Sequence, residues 1–151
     1  MLLAVHMLVG AAIGYKIHNY WLAFILAFLS HFILDAIPHR EYEIDSLIEK
    51  KVSRKSIFDL FQVFLDCAIG LAIILIFIEK SPYITYALLG AFAAMIPDGL
   101  TFLHWQTNAP WLKKITDFHR FTIHREEKTP LFWGIASQLV IFVIALIGLI
   151  F

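Results

Sequence analysis

Cysteine is almost missing from this chain. Cys67 is the only one in 151 residues, so no internal disulfide framework can exist. Charge is scarce as well: Asp, Glu, Lys and Arg make up 16% of the residues, where a soluble domain uses about a quarter. Neither sign is in excess, with 12 Lys+Arg against 12 Asp+Glu, so no global basic field exists to hold nucleic acid. Together these shortages exclude a disordered chain, a secreted cystine scaffold and a soluble α/β enzyme. What fills the chain instead is apolar: 60% of residues are hydrophobic and the mean hydropathy is +0.78. The reading is an all-α integral membrane protein, with residues 1–151 forming one membrane domain.

The apolar runs divide into five expected spans, at about 2–17, 20–37, 56–78, 83–103 and 131–151. Runs of roughly 17–25 apolar residues cross a hydrocarbon core of about 30 Å. The first run, about 24 Å long at 1.5 Å per residue, is the shortest and needs local thinning or cover from its neighbours. It is expected to stay as a span rather than act as a cleaved leader, because no positive segment precedes it. Short turns at Lys16–Asn19 and Glu79–Pro82 join spans one to two and three to four.

Five spans put the N-terminus, the 38–55 loop and the 104–129 segment on one face. That face carries Arg40, Lys50, Lys51, Arg54, Lys55, Lys113, Lys114, Arg120, Arg125 and Lys128; the other carries only Lys16 and Lys80. By the positive-inside rule the charged face is cytoplasmic, which makes the N-terminus cytoplasmic and the C-terminus external. Within 104–129, residues Trp111, Leu112, Ile115, Phe118 and Thr122 recur at helical spacing. Lys113, Lys114, Asp117 and Arg120 fall mostly off that stripe. This predicts an amphipathic helix over about 111–124, lying at the cytoplasmic interface and roofing the bundle.

Ionisable groups inside hydrocarbon cost roughly 2.5–3.5 kcal/mol each on insertion scales, so each needs a reason. His6, His31, Asp35, Asp66 and Asp98 all fall near the cytoplasmic ends of their spans. Most lie about 6–12 Å deep by helical rise, with Asp35 shallower. The outer leaflet holds almost none. His31 and Asp35 are i and i+4 and share a helix face; Pro38 disfavours helix at Ile37 and lets His39 turn back from the loop. Two imidazoles and a carboxylate at this spacing suit Zn²⁺ or a similar divalent ion. Asp59, Gln62 and Asp66 share a face of span three, and Ile96-Pro97-Asp98-Gly99 is expected to break span four. Helical rise brings Asp66 level with His31, so His31, Asp35 and Asp66 are expected to share one ion, with His6 as fourth ligand. His119 and His124, about 140° apart on a helix, cannot both face the bundle. Gly10 and Gly14, with Gly90, Ala91, Ala93 and Ala94, let helices approach closely.

These residues carry a resemblance. His6, Pro97-Asp98 and His119-Arg120-Phe121-Thr122-Ile123-His124 resemble the conserved polar skeleton of the membrane-bound metal-dependent hydrolases, a family of small multi-span bacterial and archaeal proteins. The late segment departs from that family, which has Gly after the Arg and Thr directly before the second His. His31-x-x-x-Asp35-x-x-Pro38-His39 is similar to the H-x-x-x-D-x-x-P-x-H run of zinc-dependent phospholipases C, one residue short before the last His. The resemblance implies a prokaryotic plasma-membrane hydrolase with a divalent metal, zinc foremost. His6, His31, Asp35, His39, Asp66 and His124 would be its metal ligands, and Asp98 and His119 would complete a second metal or serve as general base. Arg120 and Arg125 would hold a phosphate or other anionic headgroup, since Arg binds phosphate bidentately. Membrane lipid is then the expected partner, with a lipid or phosphate ester as substrate and no nucleic acid; a homo-oligomer stays open. Two other classes compete. An ion or proton transporter would carry polar groups through both leaflets, and a structural subunit would explain the glycines but not the clustered His and Asp residues.

Overall fold

A computed structural model describes residues 1–48, 53–122 and 129–151, and among these every regular element is helical. The helices are α1 (Leu3–Ile17), α2 (Tyr20–Asp35), α3 (Asp45–Ile48), α4 (Arg54–Ile78), α5 (Ile84–Thr107), α6 (Lys113–Thr122) and α7 (Leu131–Ile150). A 3₁₀ turn, Pro110–Leu112, leads into α6. Three helices, α4, α5 and α7, are long and apolar enough to cross a membrane; α1 and α2, at 15 and 16 residues, are shorter apolar helices. Large apolar side chains stay exposed along α4 and α7, among them Phe61, Phe64, Phe132 and Ile144. So much exposed apolar surface suits a hydrocarbon solvent and not water.

Local chemistry sets the helix ends. Asn19 caps α2 by accepting from the Leu22 amide at 3.0 Å. Ser53 and Ser56 form a reciprocal capping box that starts α4 at Arg54, two residues before the apolar run begins. The short α1 is the central helix, packed against α2, α4, α5 and α7, which is how its limited length is covered. Its largest interface is with α5. A methyl group on Gly10 or Gly14 would collide with the backbone carbonyls of Gly90 and Tyr86, so only glycine permits this approach. Around that seam Leu8, Ala11, Ile74, Ala87 and Leu149 form the main apolar core.

Two expectations are corrected. Helix α5 runs through Pro97 to Thr107 and does not break at Pro97-Asp98-Gly99. Pro97 has no N–H to give the Ala93 carbonyl one turn back, and the adjacent Ala94 carbonyl accepts from His31. Among the described residues the interfacial helix is α6, Lys113–Thr122, led in by the 3₁₀ turn, and its inward face is not the apolar stripe. Leu112, Thr116 and His119 are buried, whereas Trp111, Phe118 and Phe121 are exposed. A polar attraction turns the helix this way, because His119 is held by groups on α2 and α5.

Candidate metal centre

Four ligand atoms from three helices meet at one end of the bundle. Helix α2 contributes His31 and Asp35 from adjacent turns, α5 contributes Asp98 from the Pro97 turn, and α6 contributes His119. His31 Nε2 lies 3.1 Å from Asp35 Oδ2 and 3.0 Å from His119 Nε2, and His119 Nε2 lies 2.9 Å from Asp35 Oδ2. Asp98 Oδ1 stands 3.5 Å from both imidazole nitrogens. Ligands about 2.0–2.2 Å from a tetrahedral zinc-type ion are roughly 3.3–3.6 Å apart, so these separations are close to coordination edges. His31, Asp35 and His119 are buried, while Asp98 is 35% exposed.

The outer hydrogen bonds decide what those nitrogens offer. His31 Nδ1 is 2.7 Å from the Ala94 carbonyl, which can only accept, so Nδ1 carries a proton and Nε2 is turned to the cluster. His119 Nδ1 is 2.9 Å from the Thr101 hydroxyl. His31 Nε2 thus faces two carboxylate oxygens, an arrangement met either by a proton on that nitrogen or by a cation among the groups. A divalent cation also balances the charges of Asp35 and Asp98. The donor set thus fits a metal ion.

Asp35 works on both sides. Its Oδ1 meets His6 Nε2 at 3.1 Å and the Met1 amino nitrogen at 3.0 Å. Asp35, His39 and Glu41 form a second group that could hold an ion. There His39 Nδ1 donates to the Ile37 carbonyl at 2.7 Å, and its Nε2 faces the Met1 amino nitrogen at 2.7 Å and Glu41 Oε1 at 2.8 Å. The Met1 amino group also donates to Glu41.

Of the residues singled out from sequence, His31, Asp35, Asp98 and His119 come together, and His39 joins Asp35 in the second group. His6 belongs to neither. It stacks on His31 with ring centroids 4.1 Å apart and positions Asp35, leaving its Nδ1 without a protein partner. Asp66 is directed elsewhere, correcting its expected part in the ion site. It accepts from the Leu3 amide at 2.7 Å, the Ala4 amide at 3.2 Å and the Tyr42 hydroxyl at 3.2 Å, and so caps the start of α1. Burial, and after it the Asp66 charge, pushes the Tyr42 phenol above its ordinary pKa, so it remains a donor. Arg120 is exposed and lines the cavity beside the cluster. His124 and Arg125 lie outside the described residues.

Glu41, Thr101 and Gln138 were not anticipated. Glu41 follows His39 by two residues, and Thr101 follows Asp98 by three on one face of α5, spacings that could have raised both. Gln138 was hidden in an apolar run. Its side chain accepts from the Leu2 amide at 3.0 Å and donates to the Arg40 carbonyl at 2.8 Å, tying α7 to the start of α1 and to the loop carrying His39.

A cavity of about 290 Å³ opens on the cluster. Asp35, Glu41, Asp98, His119 and Arg120 supply its charged and imidazole groups, and its remaining walls are mostly apolar. No protein-family model matches the chain, and no curated protein or solved structure matches it.

Proposed function

We propose that this chain is a membrane-embedded, metal-dependent hydrolase with five spans, acting just beneath the cytoplasmic face of a prokaryotic plasma membrane on a lipid or phosphate-ester substrate. The observation that carries the reading is the convergence of His31, Asp35, Asp98 and His119, whose ligand atoms all lie within 4.8 Å of one another, each imidazole Nε2 being 2.9–3.5 Å from the other and from both carboxylates. These four residues would hold the ion, and zinc suits two imidazoles and two carboxylates. Such an ion supplies Lewis acidity, polarising a phosphoryl or carbonyl oxygen and bringing the pKa of water toward 7.

The chain's own groups do the rest. The Ala94 carbonyl fixes the His31 ring, and the Thr101 hydroxyl fixes that of His119. His6 and the Met1 amino group hold Asp35 from its far side, so the carboxylate keeps its direction without a ligand role for either. Asp98 is the most exposed of the four, so it is the side of the cluster that an incoming water or substrate reaches. Arg120 lines the same cavity and offers a bidentate donor to an anionic head. The ten-to-two split of Lys and Arg supports a cytoplasmic N-terminus and an external C-terminus.

Elemental analysis of full-length protein, purified without chelators, tests the reading. The expected result is bound Zn, Mn, Fe, Ni or Co that falls in His119→Ala and Asp98→Asn, with hydrolysis of a chromogenic phosphate ester falling in parallel. Protein that carries none of these metals and takes none up when they are added overturns it, leaving the cluster as a hydrogen-bonded brace.

A further inference from the structure

Gly99 is an unusual glycine in this bundle. A Cβ built on Gly10, Gly14, Gly70 or Gly90 meets neighbouring atoms at once, whereas a Cβ built on Gly99 meets nothing within 4 Å. No close packing requires glycine there and its φ is not positive. Yet it sits inside α5, where glycine is, after proline, the least favourable residue. It is exposed, lines the cavity and directly follows the ligand residue Asp98. The missing side chain keeps open space beside the cluster.

That space has a defined character. Leu60 and Val63 of α4 and Met95 and Phe102 of α5 supply apolar wall, and both helices are of membrane-crossing length. From Leu60 to Cys67 the α4 wall extends about 10 Å at 1.5 Å per residue. A dry apolar cavity of about 150 Å³ takes up a benzene ring. A room of 290 Å³, polar end included, therefore accepts on the order of ten non-hydrogen atoms, a short chain segment with its head. Its polar end holds Asp35, Glu41, Asp98 and His119, with Arg120 beside them. An apolar tail is provided for by the walls, and an anionic head by Arg120 together with an ion held at the cluster.

We propose that this cavity receives a single hydrocarbon chain of an anionic phosphate ester, its head between the ligand cluster and Arg120, with Gly99 setting the width of the chain channel. The proposal rests on the hydrolase reading for the identity of the head and on the cavity alone for the chain. It makes Gly99 a specificity determinant, since any larger residue there projects into the channel.

Calorimetric titration of the full-length, metal-supplemented protein in detergent tests this, with dodecyl phosphate, ethyl phosphate and dodecanol as probes. With affinities referred to the probe free in water, wild type is expected to bind dodecyl phosphate at least about tenfold more tightly than ethyl phosphate, because several methylenes leave water for the walls. Gly99→Leu is expected to erase that advantage while metal content stays at the wild-type level. Val63→Phe, which fills the same room from the opposite wall, does likewise and guards against a local fault in α5. Equal binding of the two phosphates by wild type, or an advantage that survives both substitutions, overturns the proposal. So does dodecanol binding as tightly as dodecyl phosphate, which would make the cavity an ordinary lipid groove. A metal-free protein that still shows the chain advantage upholds the channel and overturns the hydrolase reading instead.

Discussion

Replacing Asp66 separates the geometry of this bundle from what depth along a helix suggests. Asp66 accepts from the Leu3 and Ala4 amides at 2.7 and 3.2 Å, two of the donors that the first turn of α1 cannot satisfy itself. Losing an acceptor of this kind costs about 0.5–2 kcal/mol. Losing a negative charge at a helix N-terminus adds about 0.3–1 kcal/mol. The Tyr42 hydroxyl, which also donates to Asp66, loses its acceptor as well, worth about 1–3 kcal/mol where water cannot replace it. Asp66→Ala is therefore expected to destabilise by about 2–6 kcal/mol. Asp66→Asn keeps one acceptor oxygen and should lose about 1–2 kcal/mol. At about 2–4 °C per kcal/mol for a chain of this size, the Asn variant lowers Tm by about 2–8 °C. Its metal content should equal that of wild type, because Asp66 is not one of the grouped ligand atoms. Thermal unfolding followed by tryptophan fluorescence, paired with elemental analysis of the same sample, gives both numbers. An Asp66→Asn protein with unchanged Tm and no metal would refute the capping assignment and restore Asp66 as a ligand.

Three further outcomes follow from particular contacts. Thr101→Val removes the hydroxyl 2.9 Å from His119 Nδ1, so metal affinity should fall about 10–100-fold while helix content by circular dichroism is unchanged; equal affinity would deny Thr101 its orienting role. Gly90→Ala drives a methyl into the Gly10 carbonyl and should cost at least the ~1–3 kcal/mol of ordinary overpacking, whereas Gly99→Ala should be neutral or stabilising by up to about 1 kcal/mol; the reverse order in thermal unfolding would overturn the α1–α5 seam. Topology reporters fused at residue 45 and at the C-terminus should read cytoplasmic and external respectively, and the opposite pair would move the ligand cluster to the outer leaflet.

The helices were legible because hydrophobic run length and turn residues act locally. Asn19 caps α2 one residue before the expected span, and α1, α4 and α7 fall within two residues of their apolar runs. Pro97 misled, because the lost amide weakens one rung of α5 while packing against α1, α2 and α6 keeps the remaining ladder intact. Helix α6 misled in another way. Of its apolar stripe only Leu112 is buried, together with Thr116 and His119, while Trp111 and Phe118 face outward. Where lipid is the solvent, an aromatic such as Phe121 gains little by turning inward, whereas an imidazole gains a great deal.

Within the site, the same contrast separates His31 and Asp35 from Asp66. The first two share one helix, so their i and i+4 spacing fixes depth and direction together. Asp66 is on another helix, and rise along that helix fixes only its depth. Direction depends on how α4 is rotated against α1, which the pattern of α4 does not define because nearly all its faces are apolar. The outcome is decided by competition for the carboxylate. At that level one side offers a cluster already furnished with Asp35 and Asp98, and the other offers the unsatisfied amides of Leu3 and Ala4. A third carboxylate in the cluster would add further buried negative charge, while bare amides in hydrocarbon would each cost several kcal/mol. The amides therefore take Asp66, and the cluster is completed from α6 by an imidazole, His119.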